Sequence, residues 1–208
     1  MTLAFLALLL QVGTPRWTAV EGIRVGGSVD DILSKGGECR PGDAVASPVQ
    51  PGPFYRPSAV MFAQTAFGYA LPHAHPLSDS TAIRRALGAG SMCWAPLGRD
   101  AHAMAAAVDR RVVALIVYFV NDSGAPLPVD SARRRAYAMW GRPTHHSPTL
   151  DTWSSPRYRS YFMVPFPGRP DVPGWAQPPQ LILLDIAACS AFDRRVHRAG
   201  ASGEVGEC

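Results

Sequence analysis

Lysine is nearly missing from this 208-residue chain: Lys35 stands alone beside 19 arginines, and asparagine occurs once, at Asn121. Lys35 follows a serine, so no phosphate-cradling G-x-x-x-x-G-K-[ST] loop exists, and no dinucleotide fingerprint occurs either. The G-x-S-x-G elbow that would expose a nucleophilic serine is missing. So is the H-E-x-x-H pair that would hold a hydrolytic zinc. No C-x-x-C occurs, which removes the local signature of a thioredoxin-type site or a zinc ribbon. Charge is sparse, at 17% of residues with a formal net of +4. The arginines sit in short groups (Arg84-Arg85, Arg110-Arg111, Arg133-Arg134-Arg135, Arg194-Arg195) rather than in a basic stripe, so no nucleic-acid partner is expected. No apolar run reaches the roughly 20 residues that a membrane-spanning helix needs.

The first twelve residues, MTLAFLALLLQV, are nearly all apolar and carry no charged side chain. This stretch is too short to span a bilayer and fits the apolar core of a secretory signal peptide, so residues 1–19 are read as a leader and the chain as secreted or periplasmic. It departs from the usual pattern in lacking a preceding Lys or Arg and a clean A-x-A cleavage site. Four cysteines are spread along the chain, at Cys39, Cys93, Cys189 and Cys208. In an exported protein an even count implies disulfides, with three pairings open. The other reading is four free thiols in a reducing compartment.

A hydrophobic content of 47% is ordinary for a globular protein and too high for general disorder. In residues 22–37 Ser28 is placed to cap a short helix, with Asp31 imitating a capping box. Val29, Ile32 and Leu33 form its apolar stripe, and Gly36-Gly37 its stop. Residues 38–58, rich in Pro and Gly, read as loop. Residues 59–71 favour strand, 78–88 a short helix, and 101–108 is ambiguous between helix and strand. Residues 111–120 form the clearest strand, apolar on both faces and therefore central and covered. Within 127–143 Asp130 or Ser131 caps a helix that Gly141 and Pro143 end. Thr152-Trp153 and residues 159–164 read as hairpin strands. A Pro-rich loop at 165–179 precedes a buried strand at 181–186 and a helix over 187–199 carrying Phe192 and Val196.

Segments 22–37 and 127–143 share a plan: apolar entry, capped helix, glycine stop, then a proline-containing stretch and strands. Their separation is too long for a solenoid repeat. The run Gly22-Ile23-Arg24-Val25-Gly26-Gly27-Ser28-Val29-Asp30-Asp31-Ile32-Leu33 and the ending Trp140-Gly141-Arg142-Pro143 resemble small modules of two families. One is the β-lactamase-inhibitor proteins; the other is the small lipoprotein of the outer-membrane β-barrel assembly machinery. Residues 109–117 resemble the turn-then-strand step of the same module. The resemblance implies short helices before an antiparallel sheet, and action by binding proteins rather than by catalysis. The sequence departs from it by the Pro-rich insert at 38–58 and by the lack of a cysteine for lipidation.

Two histidine pairs, His73-x-His75 and His145-His146, are the candidate metal ligands, with Asp79 or Asp151 as a further donor. His73 and His75 would share a strand face, whereas adjacent His145 and His146 would diverge. Exposed loop histidines are the plainer reading, and no metal or cofactor is expected. A second cluster holds Trp140, Arg142, Trp153, Tyr158 and Tyr161, residue types that dominate protein interfaces. It could grip a protein or a glycan on a sheet face, or form the core of the C-terminal half.

The expected fold is α+β, with short helices packed on an antiparallel sheet, in two loosely similar halves at 20–125 and 126–208. The expected role is an exported, non-enzymatic binding or envelope-associated protein. The alternative is a divergent metal-dependent hydrolase using the two histidine pairs.

Overall fold

The computed structural model describes residues 15–41, 90–164 and 178–198. Residues 15–19 of the stretch read as a leader over 1–19 thus belong to the described fold. Outside the described residues lie 1–14 of that stretch, the expected strand at 59–71 and helix at 78–88, His73, His75, Asp79 and Cys208. The same holds for residues 165–177 and for the side chains of Cys189, Phe192 and Val196.

The fold is α+β and is dominated by one antiparallel sheet. A 3-10 turn, Arg16–Thr18, leads into a small hairpin of β1 (Ala19–Val20) and β2 (Ile23–Arg24), followed by α1 (Asp30–Leu33). Four strands come next: β3 (Glu38–Pro41), β4 (Gly90–Pro96), β5 (His102–Val108) and β6 (Arg111–Tyr118). Helix α2 (Val129–Trp140) precedes β7 (His145–His146), β8 (Leu150–Ser154), β9 (Tyr158–Met163) and β10 (Gln180–Asp185), and α3 (Ile186–Arg198) follows. The eight strands from β3 to β10 join in the order β3-β4-β5-β6-β10-β9-β8-β7. Among the described residues four sheet strands follow α1 and four follow α2, and the last strands of the two sets, β6 and β10, pair antiparallel.

Side chains alternate across a strand, so cross-strand partners mark the faces. One face carries Cys93, Ala105, Leu115, Val117, Trp153, Phe162, Leu181 and Leu183. Against it pack Val20, Ile23, Val29 and Ile32 from the N-terminal segment, and Ala132, Ala136 and Trp140 from α2. The other face carries Met92, Met104, Ile116, Tyr161 and Ile182, which are buried as well. Burial of both faces explains why β6 and β10 read as continuous apolar runs.

Two tight turns use left-handed backbone without a leading glycine. Glu21 and Gly22 (φ 48° and 89°) join β1 to β2, and Asp109 and Arg110 (φ 50° and 61°) join β5 to β6. Positive φ at both central residues matches the twist of a two-residue hairpin.

Three sequence expectations are corrected. Residues 38–41 are strand, not loop: Cys39 pairs opposite Cys93, and Pro41 is tolerated because β3 is an edge strand. α2 begins at Val129 after Pro128, with no side-chain cap, so neither Asp130 nor Ser131 caps it. Asp130 sits in its first turn, and the Ser131 hydroxyl instead accepts from Arg134. At α1 the Ser28 hydroxyl does accept an amide, that of Asp30 at 3.1 Å, but it donates to the carboxylate of Asp30, not of Asp31. The helix is a single turn that buries Val29 and Ile32 and leaves Leu33 exposed.

The two glycines after α1 act differently. Gly36 supplies the left-handed turn at φ 74°. Gly37 makes room: a Cβ there would stand 2.4 Å from the Trp94 carbonyl oxygen and 2.7 Å from that of Ile32. Backbone cannot swing aside as a side-chain tip can. Gly37→Ala is therefore expected to lower stability by about 1–3 kcal/mol in denaturant unfolding, the range for forced overpacking. An unchanged unfolding midpoint would show that the α1–β4 approach is not tight.

The Cys39–Cys93 disulfide joins β3 to β4 across 54 residues of sequence. No helix among the described residues is long and apolar enough to cross a membrane.

Candidate functional site

A cavity of about 600 Å³ opens at the β7 end of the sheet, lined by Arg133, Tyr137, Arg142, Pro143 and His146. Arg133 and Tyr137 come from α2, where a spacing of four residues stacks them on one face. That face also carries Trp140 to Trp153, edge to face at 5.3 Å. Helix α2 ends at Gly141, whose amide donates to the Tyr137 carbonyl at 2.8 Å. With φ 80° and ψ −168°, Gly141 occupies backbone that side-chain-bearing residues avoid, and it turns the chain out so that Arg142 and Pro143 form the rim.

Beneath the cavity floor lies Asp151 on β8, its side chain fully buried. A buried carboxylate needs partners for its oxygens, and Asp151 has three. Arg133 Nε donates to Oδ2 at 3.0 Å. The Tyr137 hydroxyl donates to the same oxygen at 2.9 Å. His146 Nδ1 bonds Oδ1. Because a carboxylate only accepts, the His146 proton belongs on Nδ1 in this contact, which leaves Nε2 for other partners. Arg133 is held further by the Pro148 carbonyl, which accepts from Nη2 at 2.8 Å, and by the Phe162 ring 5.5 Å beneath its guanidinium. The Tyr137 phenol is pushed up from its ordinary pKa, first by burial, then by its hydrogen bond to Asp151 and the charge there, with Arg133 pulling the other way.

The arrangement brings two guanidiniums, a phenol and an imidazole around one space. Among the described residues the lining contains no serine, threonine or cysteine. The hydroxyl it does carry, on Tyr137, binds its proton more tightly than a free phenol does. His146 backed by Asp151 has the outline of an oriented base, without a nucleophile among these lining residues to activate.

The site residues expected from the sequence separate in space. Arg142 stands on the cavity rim. Trp153 (1% exposed), on β8, and Trp140 (8%), the last residue of α2, are packed into the core between helix and sheet. The Trp140 indole nitrogen donates to the Ala19 carbonyl at 3.1 Å, fastening the N-terminal hairpin. Tyr161 pairs opposite Thr152 and points to the far face of the sheet. Tyr158 is buried at the start of β9, with the Arg157 guanidinium 5.1 Å over its ring. His145 and His146 are both exposed on β7, and only His146 lines the cavity. No three His, Cys, Asp or Glu side chains among the described residues come together as a metal site. Of the cysteines, Cys39 and Cys93 are bonded to each other.

Arg133 and Tyr137 line the cavity but are not singled out by the sequence as site residues. The signal available is their spacing of four on a helix whose polar residues also have to face the sheet edge. Asp151 is visible only as a possible metal donor, because nothing in the sequence marks a carboxylate as buried. In comparison with protein-family models, curated proteins and solved structures, the chain matches none.

Proposed function

We propose that this chain is an exported, non-enzymatic binding protein that engages a partner protein through the cavity beside β7. The observation that carries this reading is the cavity itself: it is walled by cationic and aromatic donors over an acid whose oxygens are already occupied. Export is supported by the apolar leader and by the Cys39–Cys93 disulfide, a bond that persists in oxidising compartments. A protein partner is favoured over a glycan by the resemblance to modules that act on proteins. The layout of the described residues supports the same resemblance: four sheet strands follow α1 and four follow α2, and the two sets meet at β6 and β10. We read these as two tandem halves of one ancestral module.

The test places a photo-crosslinking amino acid at His145, next to the cavity, or at Arg40, on the opposite edge of the sheet, in cells that produce the protein. A discrete adduct formed only from position 145, in the envelope or the medium, is the expected result. No adduct from position 145, or the same adducts from both positions, would overturn the reading.

A further inference from the structure

We infer that the cavity receives an oxyanion, a carboxylate or phosphate group, with Arg142 as its principal ligand. This rests on the binding reading above and names the chemistry that the site selects.

The cavity residues differ in how far they are committed. Arg133 spends Nε on Asp151 and Nη2 on the Pro148 carbonyl. Its Nη1 has no acceptor among the described residues. Arg142 has no carboxylate partner among them, a state that it shares with other exposed arginines such as Arg24, Arg111 and Arg134, and what sets it apart is that it lines the cavity. The acid beneath the cavity is Asp151, and Arg133, Tyr137 and His146 screen it: they line the space, and it does not. An anion entering the cavity therefore meets two guanidiniums and an imidazole before that negative charge. A guanidinium presents a planar fork that matches the paired oxygens of a carboxylate or phosphate. Pro143 restricts the backbone of Arg142, the residue before it, which lowers the ordering cost of capture.

The experiment is a titration of the whole protein with N-acetylglutamate and, separately, O-phosphoserine at constant ionic strength, followed by NMR of backbone amides and arginine side chains. Saturable shifts are expected at Arg142, Pro143-flanking amides and His146. The anion that binds more tightly identifies the carboxylate or the phosphate source. Arg142→Ala and Arg142→Gln should each weaken the binding about tenfold or more, the size of a lost charge-assisted hydrogen bond. Arg134→Ala, at an exposed position of α2 outside the lining, should leave it within about twofold, as expected of a surface change away from the site. Both Arg142 variants are at an exposed site, and their unfolding midpoints check that they remain folded. Shifts that never saturate, or equal affinity in wild type and both Arg142 variants, would overturn the inference. A position-145 adduct without anion binding sinks the oxyanion and leaves the binding protein standing. Saturable, Arg142-dependent anion binding without an adduct does the reverse.

Discussion

Asp151→Ala should destabilise the protein by about 3–5 kcal/mol, the loss expected when one member of a buried charged pair is removed and the other is stranded. The Arg133 side chain is only 18% exposed and would keep its charge without the carboxylate that balances it. The Tyr137 hydroxyl and His146 Nδ1 lose the same acceptor. Asp151→Asn keeps the shape and one acceptor oxygen and should cost less. Denaturant unfolding of the two variants measures this. A second readout is specific to the cluster: the hydrogen bond and the charge of Asp151 both hold the Tyr137 phenol up, while Arg133 pulls it down. In Asp151→Ala the phenol should therefore ionise at lower pH than in the wild type, as followed by its ultraviolet absorbance. A loss below about 1 kcal/mol, with tyrosine titration unchanged, would mean that Asp151 does not organise the cavity floor.

Trp153 offers a comparable effect with a different cause. It is the largest of the fully buried side chains and lies edge-on to both Trp140 and Tyr137, at 5.3 Å and 6.1 Å. Trp153→Ala should cost about 3–5 kcal/mol, through lost burial and the cavity left behind. Its indole nitrogen is buried without a hydrogen-bond partner among the described residues. Trp153→Phe keeps most of the ring and removes that stranded donor, so it should cost less than about 1.5 kcal/mol. The ordering of the two variants in thermal or chemical unfolding is the test. A well-folded Trp153→Ala protein would contradict the placement of this residue in the core.

How much is legible depends on which physical signal each element carries. The strand expected at 111–120 is observed at Arg111–Tyr118, and that expected at 181–186 at Gln180–Asp185, because burial on both faces leaves an apolar run that no surface element shows. The helix within 127–143 is readable from its glycine and proline exit, though its start is not, since Pro128 replaces a side-chain cap. Residues 101–108 are ambiguous because alanine favours helix locally; pairing with β4 on one side and β6 on the other overrides that preference. The β1–β2 hairpin escapes notice because each strand is only two residues long. At the cavity, Arg142 and His146 are readable as reactive side chains, one as an interface type and one as a metal donor. Their convergence is not, since it requires β7 to fold back on β8 and α2 to lie across both.

The disulfide has a consequence for the chain as a covalent object. Cys39 and Cys93 bracket the whole of residues 42–89. A backbone cut anywhere in that interval produces two polypeptides that stay linked through sulfur. One carries β3 and runs on to the cut, and the other contributes seven of the eight described strands of the sheet. Such a clipped molecule would travel as one species until a reductant divided it, so the protein carries its own tether across the stretch between β3 and β4.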